Sequence, residues 1–521
     1  MEIPFLPLLK QLWQELELTP FLAFLFFLSL LLFFILSRPR SKLKLPPSPP
    51  WLPLIGNLHQ LGTHPHRSFR SLSEKYGPLM LLHLGQTPTL IVSSANMMKE
   101  IVKNHDIAFS GRPQTTAANI LLYGCQDVGF APYGEYWRQT RKICVHDLLS
   151  LKRVQQFQFV REEVTVALIE RIRGASQSSK DSSVNLSEML IAAANNILSR
   201  CVLGRSFVIE EGRSRFGELG RKFMVCMMAF CVGDFFPSLK WIDNLTGLIG
   251  RFKELFREMD AYIDEVIEEH KAAVRGDDIG GSDVKDFVDI LLGVQKHGMP
   301  DFELTRDNMK AVLMDMFLGG SDTTSTALEW VMAELLRHPE VMKKAQEEVR
   351  RVMGNRSKID LNDVNRMDYT KCVVKETLRL HPPVPLLVPR ETIASAEISG
   401  CHIPEKTRVF INTWAIQRDP NVWDKSEEFL PERFQDNDVD FKGHDFEFVP
   451  FGSGRRGCPG LTFAVFGVEY IIANLLYWFD WKLPGDDDGA ILAKELDMSE
   501  VYGLTVHKKV PLYLVPIPYS P

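Results

Sequence analysis

The chain has 521 residues, 45% hydrophobic and 24% charged, a balance that supports a large buried core and excludes a mainly disordered protein. Its net charge of −6 argues against nucleic-acid binding, which calls for a basic face toward phosphates. The eight cysteines, at 125, 144, 201, 226, 231, 372, 401 and 458, show neither the density of a disulfide framework nor paired CxxC spacing, and they suit a reducing compartment.

The first segment with a mechanism is N-terminal. Residues 19–37 carry no charge, and 20–36 are almost entirely Phe, Leu, Ile and Ala, just long enough for a helix to cross hydrocarbon. A cleaved signal peptide has its basic end before the apolar run and a small-residue cleavage site after it. Here the basic residues Arg38, Arg40, Lys42 and Lys44 follow instead, which predicts an anchor with the downstream chain on the cytoplasmic side. Pro46-Pro47-Ser48-Pro49-Pro50 then forbids a helix and makes a stiff spacer. The pattern divides the chain into a short lumenal N-terminus (1–19), a transmembrane anchor (20–37), a basic and proline-rich hinge (38–50) and one cytosolic domain (51–521).

Within that domain, residues 79–94 read as a hairpin, with two apolar runs flanking a turn around 86–88. Little else resembles sheet until about residue 396; between these points helical spacing prevails, interrupted by polar loops at 176–183 and 276–283. The expected fold class is mainly α with small β-sheets. One helix, predicted over 305–337, is long enough to cross the centre of the fold. Its middle reads Gly319-Gly320-Ser321-Asp322-Thr323-Thr324, where each glycine costs about 1 kcal/mol relative to alanine and so must serve close approach by another body. Asp322 and Thr323 offer a carboxylate and a hydroxyl there. A back-bond from Thr323 to the carbonyl of Gly319 accounts for the threonine without any function.

Near the C-terminus stands Phe448-Val449-Pro450-Phe451-Gly452-Ser453-Gly454-Arg455-Arg456-Gly457-Cys458-Pro459-Gly460, followed by an apolar helix over Leu461–Trp478. Two functions compete for this loop. Gly452, Gly454 and Gly457 spell GxGxxG, with Asp480 a little over twenty residues on, as in a dinucleotide-binding fingerprint. Against it, two arginines crowd a loop that should present bare backbone, and only some forty residues remain to complete a doubly wound sheet. The alternative is a haem site. Flanking glycines expose N–H groups toward a thiolate, the start of a helix favours the anion, Phe451 can shield the sulfur, and Arg456 is placed to meet a propionate. Most cysteines are inert buried thiols; the flanking pattern singles out Cys458.

Residues 451–460 match the cytochrome P450 signature FxxGxRxCxG, ending at Gly460, at every fixed position, and the chain resembles that family along its whole length. Residues 319–324 resemble the family's oxygen-activating motif, Glu376-Thr377-Leu378-Arg379 its ExxR, Phe429-Leu430-Pro431-Glu432-Arg433-Phe434 its PERF segment and Trp137-Arg138-Gln139-Thr140-Arg141 its WxxxR helix. Each small motif has a bland alternative. Glu376 and Arg379 at i,i+3 ordinarily form a surface pair contributing about 0.2–0.5 kcal/mol, and Trp137 with Arg141 can be one amphipathic face. Their joint occurrence in order, behind an anchor and proline hinge, is similar to the plant microsomal A-type enzymes.

The resemblance implies the cytochrome P450 fold with an N-terminal transmembrane helix, and a haem b whose iron is held by the Cys458 thiolate. It implies Asp322 and Thr323 as proton-delivery residues, Trp137, Arg141, Arg390 and Arg456 as propionate partners, and Glu376, Arg379 and Arg433 as a buried network under the haem loop. The implied activity is a monooxygenase of the endoplasmic reticulum membrane, acting on a small hydrophobic plant metabolite such as a terpenoid, phenylpropanoid or flavonoid, aldoxime or alkaloid precursor. No complete nicotinamide or flavin domain is evident, so NADPH-cytochrome P450 reductase is the implied partner, with Arg455 a candidate docking residue. Pocket walls are expected from 112–129, 206–236, 312–323, 385–388 and 501–504. An NAD(P)-dependent dehydrogenase using the GSGRRG loop, or a non-catalytic membrane haem or sterol binder, stays open as another function.

Overall fold

The computed structural model describes residues 20, 22–29, 43–178, 183–206, 215–275, 284–299, 302–485 and 495–520. Residues 22–29 are helical, and Phe24, Phe26 and Phe27 are exposed, as an apolar helix without a protein partner must be. The rest of the expected anchor at 21 and 30–37, the basic residues 38–42 and the loop centres 179–182 and 276–283 lie outside the described residues. The proline-rich spacer is extended and docked: Pro47 O accepts from Leu81 N at 2.9 Å and Lys44 O from His402 N at 2.7 Å.

The largest sheet has four strands, β1 (Leu79–Leu84), β2 (Thr87–Val92), β3 (Arg390–Glu391) and β4 (Arg408–Ile411), in the order β1-β2-β4-β3. The first two form the expected hairpin, but its turn is Gly85-Gln86, one residue earlier than the sequence suggested, and Pro88 already lies in β2 opposite His83. Gly85 supplies the left-handed conformation, φ +60°, that a two-residue turn needs. Pro88 precedes Thr89, where parallel pairing with β4 begins, so its missing N–H costs no ladder bond. Strands also occur earlier than residue 396, at Val184–Asn185 and at β3; two-residue strands have no periodicity by which to be read.

Five helices frame the interior: α1 (Glu135–Lys142), α2 (Leu186–Leu203), α3 (Arg306–Arg337), α4 (Asp368–Leu380) and α5 (Leu461–Trp478). The central helix α3 begins where a capping box fixes it, Thr305 Oγ1 accepting from Asn308 N at 3.2 Å and Asn308 Oδ1 from Thr305 N at 3.1 Å. It packs most extensively against α2 and also meets α4 and α5, so it is buried nearly all round. Its two glycines do different work. A Cβ at Gly320 would lie 2.8 Å from Leu198 Cδ1 of α2, whereas a Cβ at Gly319 would meet nothing within 4 Å. Gly320 therefore lets two helices approach, and Gly319 leaves space beside α3. Helix α5 is apolar and long enough to cross a membrane, yet it is largely buried in this fold, as an all-round apolar helix in a large core is. The architecture is mainly α with small β-sheets, and it brings the loop before α5 and the glycine-containing turn of α3 to one cavity.

Candidate active site

The loop 451–460 is folded on its own backbone. Gly452 N donates to Val449 O at 2.9 Å, Gly457 N to Gly454 O at 3.0 Å and Cys458 N to Phe451 O at 2.9 Å. Gly452 and Gly454 have φ of +68° and +70°, and a Cβ at Gly454 would come within 2.7 Å of Asp106 Oδ1, so no other residue fits there without strain. Cys458 spends its own N–H on the loop; the backbone group that stabilises its sulfur is Gly460 N–H, at the N-cap of α5. The side chain is accessible and lines the cavity. Burial pushes the thiol up from its usual value, while Gly460 N–H and the Arg141 charge act in the opposite direction. Phe451 lines the same cavity, its ring edge-on to Phe441 at 5.7 Å.

Four arginines face this cavity: Arg141, Arg390 and Arg456, as the sequence suggested, and Arg112. Backbone carbonyls hold each in place. Arg141 Nη2 donates to Gly457 O at 2.7 Å, Arg390 Nη2 to Ser453 O at 2.7 Å, Arg456 Nη2 to Ala131 O at 2.6 Å and Arg112 Nη1 to Val388 O at 2.6 Å. Among the described residues, Arg390 alone of the four has a direct carboxylate partner, Asp106 at 3.3 Å. Burial lowers the pKa of all four, and neighbouring arginines lower Arg112 and Arg456 further, the latter to about 9. A cavity with this surplus of oriented cations is built for a group bearing two or more negative charges. Trp137 does not line it. Its indole N–H donates to Val128 O at 3.1 Å, and its face lies under the Arg456 guanidinium, 4.3 Å from the ring centroid, so it props an arginine. Arg112 opens an expected pocket wall, but nothing in the sequence grouped it with the other three arginines, because it belongs to no motif.

On the opposite wall, α3 contributes Gly319, Gly320, Thr323 and Thr324. Thr323 Oγ1 does make the back-bond, donating to Gly319 O at 2.6 Å, and it faces the cavity. Asp322 does not: its carboxylate accepts from Thr505 Oγ1 on the C-terminal segment. Burial raises the Asp322 pKa, opposed by Thr505 and by the charges of His507 and Arg221. The remaining wall is apolar, with Leu122, Val128, Phe223, Met227, Leu387, Val388 and Leu504 from the expected segments; of 206–236, residues 207–214 lie outside the described residues. Leu198, Ala327, Val374 and Phe463 also line it, from outside the segments expected as pocket walls.

Glu376 and Arg379 are not a surface pair. Both side chains are fully buried on α4, with Arg379 Nε 2.8 Å from Glu376 Oε2 and Arg433 Nε 2.9 Å from Oε1. Arg379 also donates to Gln417 O at 2.8 Å and Ser426 O at 2.7 Å. Gln417 carries the connection to the cysteine loop, since its Oε1 accepts from Val449 N at 3.0 Å. No motif named Gln417. Asp480, the acid a dinucleotide ribose would require, pairs instead with Arg350 at 2.8 Å on the strand Phe479–Lys482. The GSGRRG loop feeds no doubly wound sheet.

A thiol at the start of a core helix, aimed into an apolar cavity ringed on one side by arginines, fits a haem held by sulfur and by its propionates, and so defines a haem-thiolate oxygenase. The sequence profile of the family described as Cytochrome P450 matches residues 46–507. The phenylacetaldehyde oxime monooxygenase of Prunus mume is 55% identical, with 99% of this chain and 99% of that protein covered. The desmethylyatein synthase of Sinopodophyllum hexandrum is 50% identical over 95% of this chain and 98% of that one. A solved zebra fish cytochrome P450 structure with abiraterone superimposes with a TM-score of 0.73 at 26% identity, covering 88% of this chain and all of the other. The chain belongs to the cytochrome P450 family. It is a plant A-type monooxygenase with a haem ligated by cysteine thiolate, and it acts on small molecules.

Proposed function

We propose that this monooxygenase sits in the endoplasmic reticulum membrane, draws NADPH-derived electrons from a separate NADPH-cytochrome P450 reductase, and oxidises a small hydrophobic aldoxime-like metabolite. When bound, the haem supplies activation of dioxygen and insertion of one oxygen atom into the substrate. Cys458 Sγ holds the iron, Arg112, Arg141, Arg390 and Arg456 take the propionates, and Trp137 and Phe451 pack the arginine and sulfur sides. The observation that carries this reading is a single cavity lined both by Cys458 and by Thr323.

Thr323 Oγ1 brings an exchangeable proton to the cavity wall. Asp322, whose burial favours its protonated form, lies behind Thr323 with its carboxylate on Thr505 and serves as the proton reserve only through intervening water. Thr323→Ala is expected to lower product formed per NADPH consumed by roughly tenfold or more while NADPH use continues. An unchanged ratio would remove Thr323 from proton delivery.

The apolar wall supports a ligand held mainly by shape, with few polar contacts. The relative from Prunus mume acts on phenylacetaldehyde oxime, which makes arylalkyl aldoximes the first substrates to offer with reductase and NADPH. Conversion of terpenoids or lignans but of no aldoxime would replace this choice. Residues 20–37 serve as the anchor, with 1–19 lumenal, 38–50 the hinge and 51–521 cytosolic; the exposed apolar helix at 22–29 supports this. Deleting residues 1–37 is expected to shift the protein from the carbonate-resistant membrane fraction to the supernatant. Full-length protein found in the supernatant would contradict the anchor. Arg455, half exposed beside the cysteine loop, is one contact offered to an acidic reductase surface.

A further inference from the structure

Two carboxyl groups beside the arginine-lined part of the cavity have no place in the reaction above. Asp127 has no exposed surface, and Asp315 lies on α3 about two turns before Thr323, open only toward the cavity. Asp315 Oδ2 accepts from Val128 N at 2.6 Å and from Gly129 N at 3.0 Å, and Asp127 Oδ2 accepts from Phe130 N at 2.7 Å. Gly129 runs between the two groups: a Cβ there would lie 3.1 Å from Asp127 Oδ2 and 3.8 Å from Asp315 Oδ1. One methyl-sized position thus borders both carboxyl groups, and each charge bears on the other's ionisation. These three backbone donors all reach an Oδ2, and Asp127 Oδ1 has no partner among the described residues. Two buried carboxylates in contact do not both ionise; one retained proton removes the repulsion and supplies the missing donor.

We propose that Asp127 and Asp315 share one proton, and that this acid pair clamps residues 127–131 onto α3 and so fixes the carbonyls that orient Arg112, Arg456 and Trp137. The clamped segment is the one those side chains use. Gly129 O accepts from Arg112 Nε at 2.8 Å, Ala131 O from Arg456 Nη2 at 2.6 Å and Val128 O from the Trp137 indole at 3.1 Å. Asp315 is thus a positioning residue, acting on the cofactor only through the loop. The effect on haem rests on the propionate role assigned to the arginines; the clamp itself does not.

Burial is the largest influence on both acids, raising Asp127 to about 6 and Asp315 well above the carboxylate range. Arg112 and Arg456 pull Asp127 down, and Tyr136, Cys125 and Cys144 are the other ionisable groups facing the pair. A folded-state pKa raised above the unfolded value contributes stability at low pH that is lost as pH rises through the folded value. The loop therefore loosens as pH climbs past about 6 toward the higher Asp315 value.

The test is amide hydrogen exchange of the peptide spanning 127–131, together with haem retention, in the full-length holoenzyme. Wild type is expected to exchange faster, after correction for the intrinsic rate, as pH rises from 6 to 9. Asp315→Asn, whose amide donates permanently to Asp127 while its oxygen still accepts from Val128 and Gly129, should keep wild-type protection at pH 6 and lose the pH dependence. Asp315→Ala should exchange about tenfold faster at every pH and release haem sooner. Asp127→Asn should reproduce Asp315→Asn and decides the matter if the alanine variant does not fold. Equal loss of protection in Asn and Ala variants, or a pH-dependent loop in Asp315→Asn, overturns the shared proton. Faster exchange in Asp315→Ala with unchanged haem retention keeps the clamp and removes the propionate reading of the arginines.

Discussion

Cys458→Ala is expected to fold and to lose the thiolate-type absorption band of the reduced, carbon-monoxide-bound enzyme completely. Sγ projects into the cavity and supports no packing layer, whereas the loop's own hydrogen bonds, among them Cys458 N to Phe451 O at 2.9 Å, do not involve the side chain. No other cysteine among the described residues can substitute. Cys125, Cys144, Cys201, Cys226, Cys231, Cys372 and Cys401 all lie away from the cavity lining. The measurement is the carbon monoxide difference spectrum beside a far-ultraviolet circular dichroism spectrum; a normal band in the variant would sink the assignment of Cys458.

The second large effect is expected at Glu376, which never touches the substrate. Its carboxylate accepts from Arg379 Nε and Nη2 at 2.8 and 2.9 Å, from Arg433 Nε at 2.9 Å and from Leu430 N at 2.9 Å. Glu376→Ala leaves two guanidinium groups facing each other, one of them fully buried. Breaking a buried pair in this way costs about 3–5 kcal/mol, far more than the surface-pair value, because an uncompensated charge remains in the interior. Arg379 also anchors Gln417, and Gln417 holds Val449 at the entrance to the cysteine loop, so haem should be lost before the helices unfold. Denaturation followed in parallel at the haem band and by circular dichroism would show the first transition shifted most. A Glu376→Ala protein with an unshifted haem transition would show that the network is not what supports the loop.

These two sites differ in how much of them was visible beforehand. Cys458 stands in a contiguous loop whose glycines, arginine and following helix each have a local reason to be there, so ten residues of sequence carried the chemistry. The i,i+3 spacing of Glu376 and Arg379 describes an exposed and a buried pair equally well. Burial came from elements far along the chain, with Ser426 and Arg433 closing over α4. The Thr323 back-bond and its exposure to the cavity are both present, so the bland and the functional readings of that residue were never exclusive. Asp322 sits one position away, yet a helix turns successive side chains by about 100°, and that rotation sends its carboxylate to Thr505.

The sequence alone singled out Cys458 for haem-thiolate chemistry and read the extent of the central helix and the mainly helical class, because these follow from local patterns: a loop motif and a 3.6-residue period. The tertiary structure decided which side chains share the cavity. Arg112 joins the arginines, Gln417 links α4 to the cysteine loop, and Asp127 meets Asp315 across almost two hundred residues of chain. Each of these depends on two segments meeting in space, and on the loss of water where they meet; neither is encoded in the spacing of neighbours along the chain.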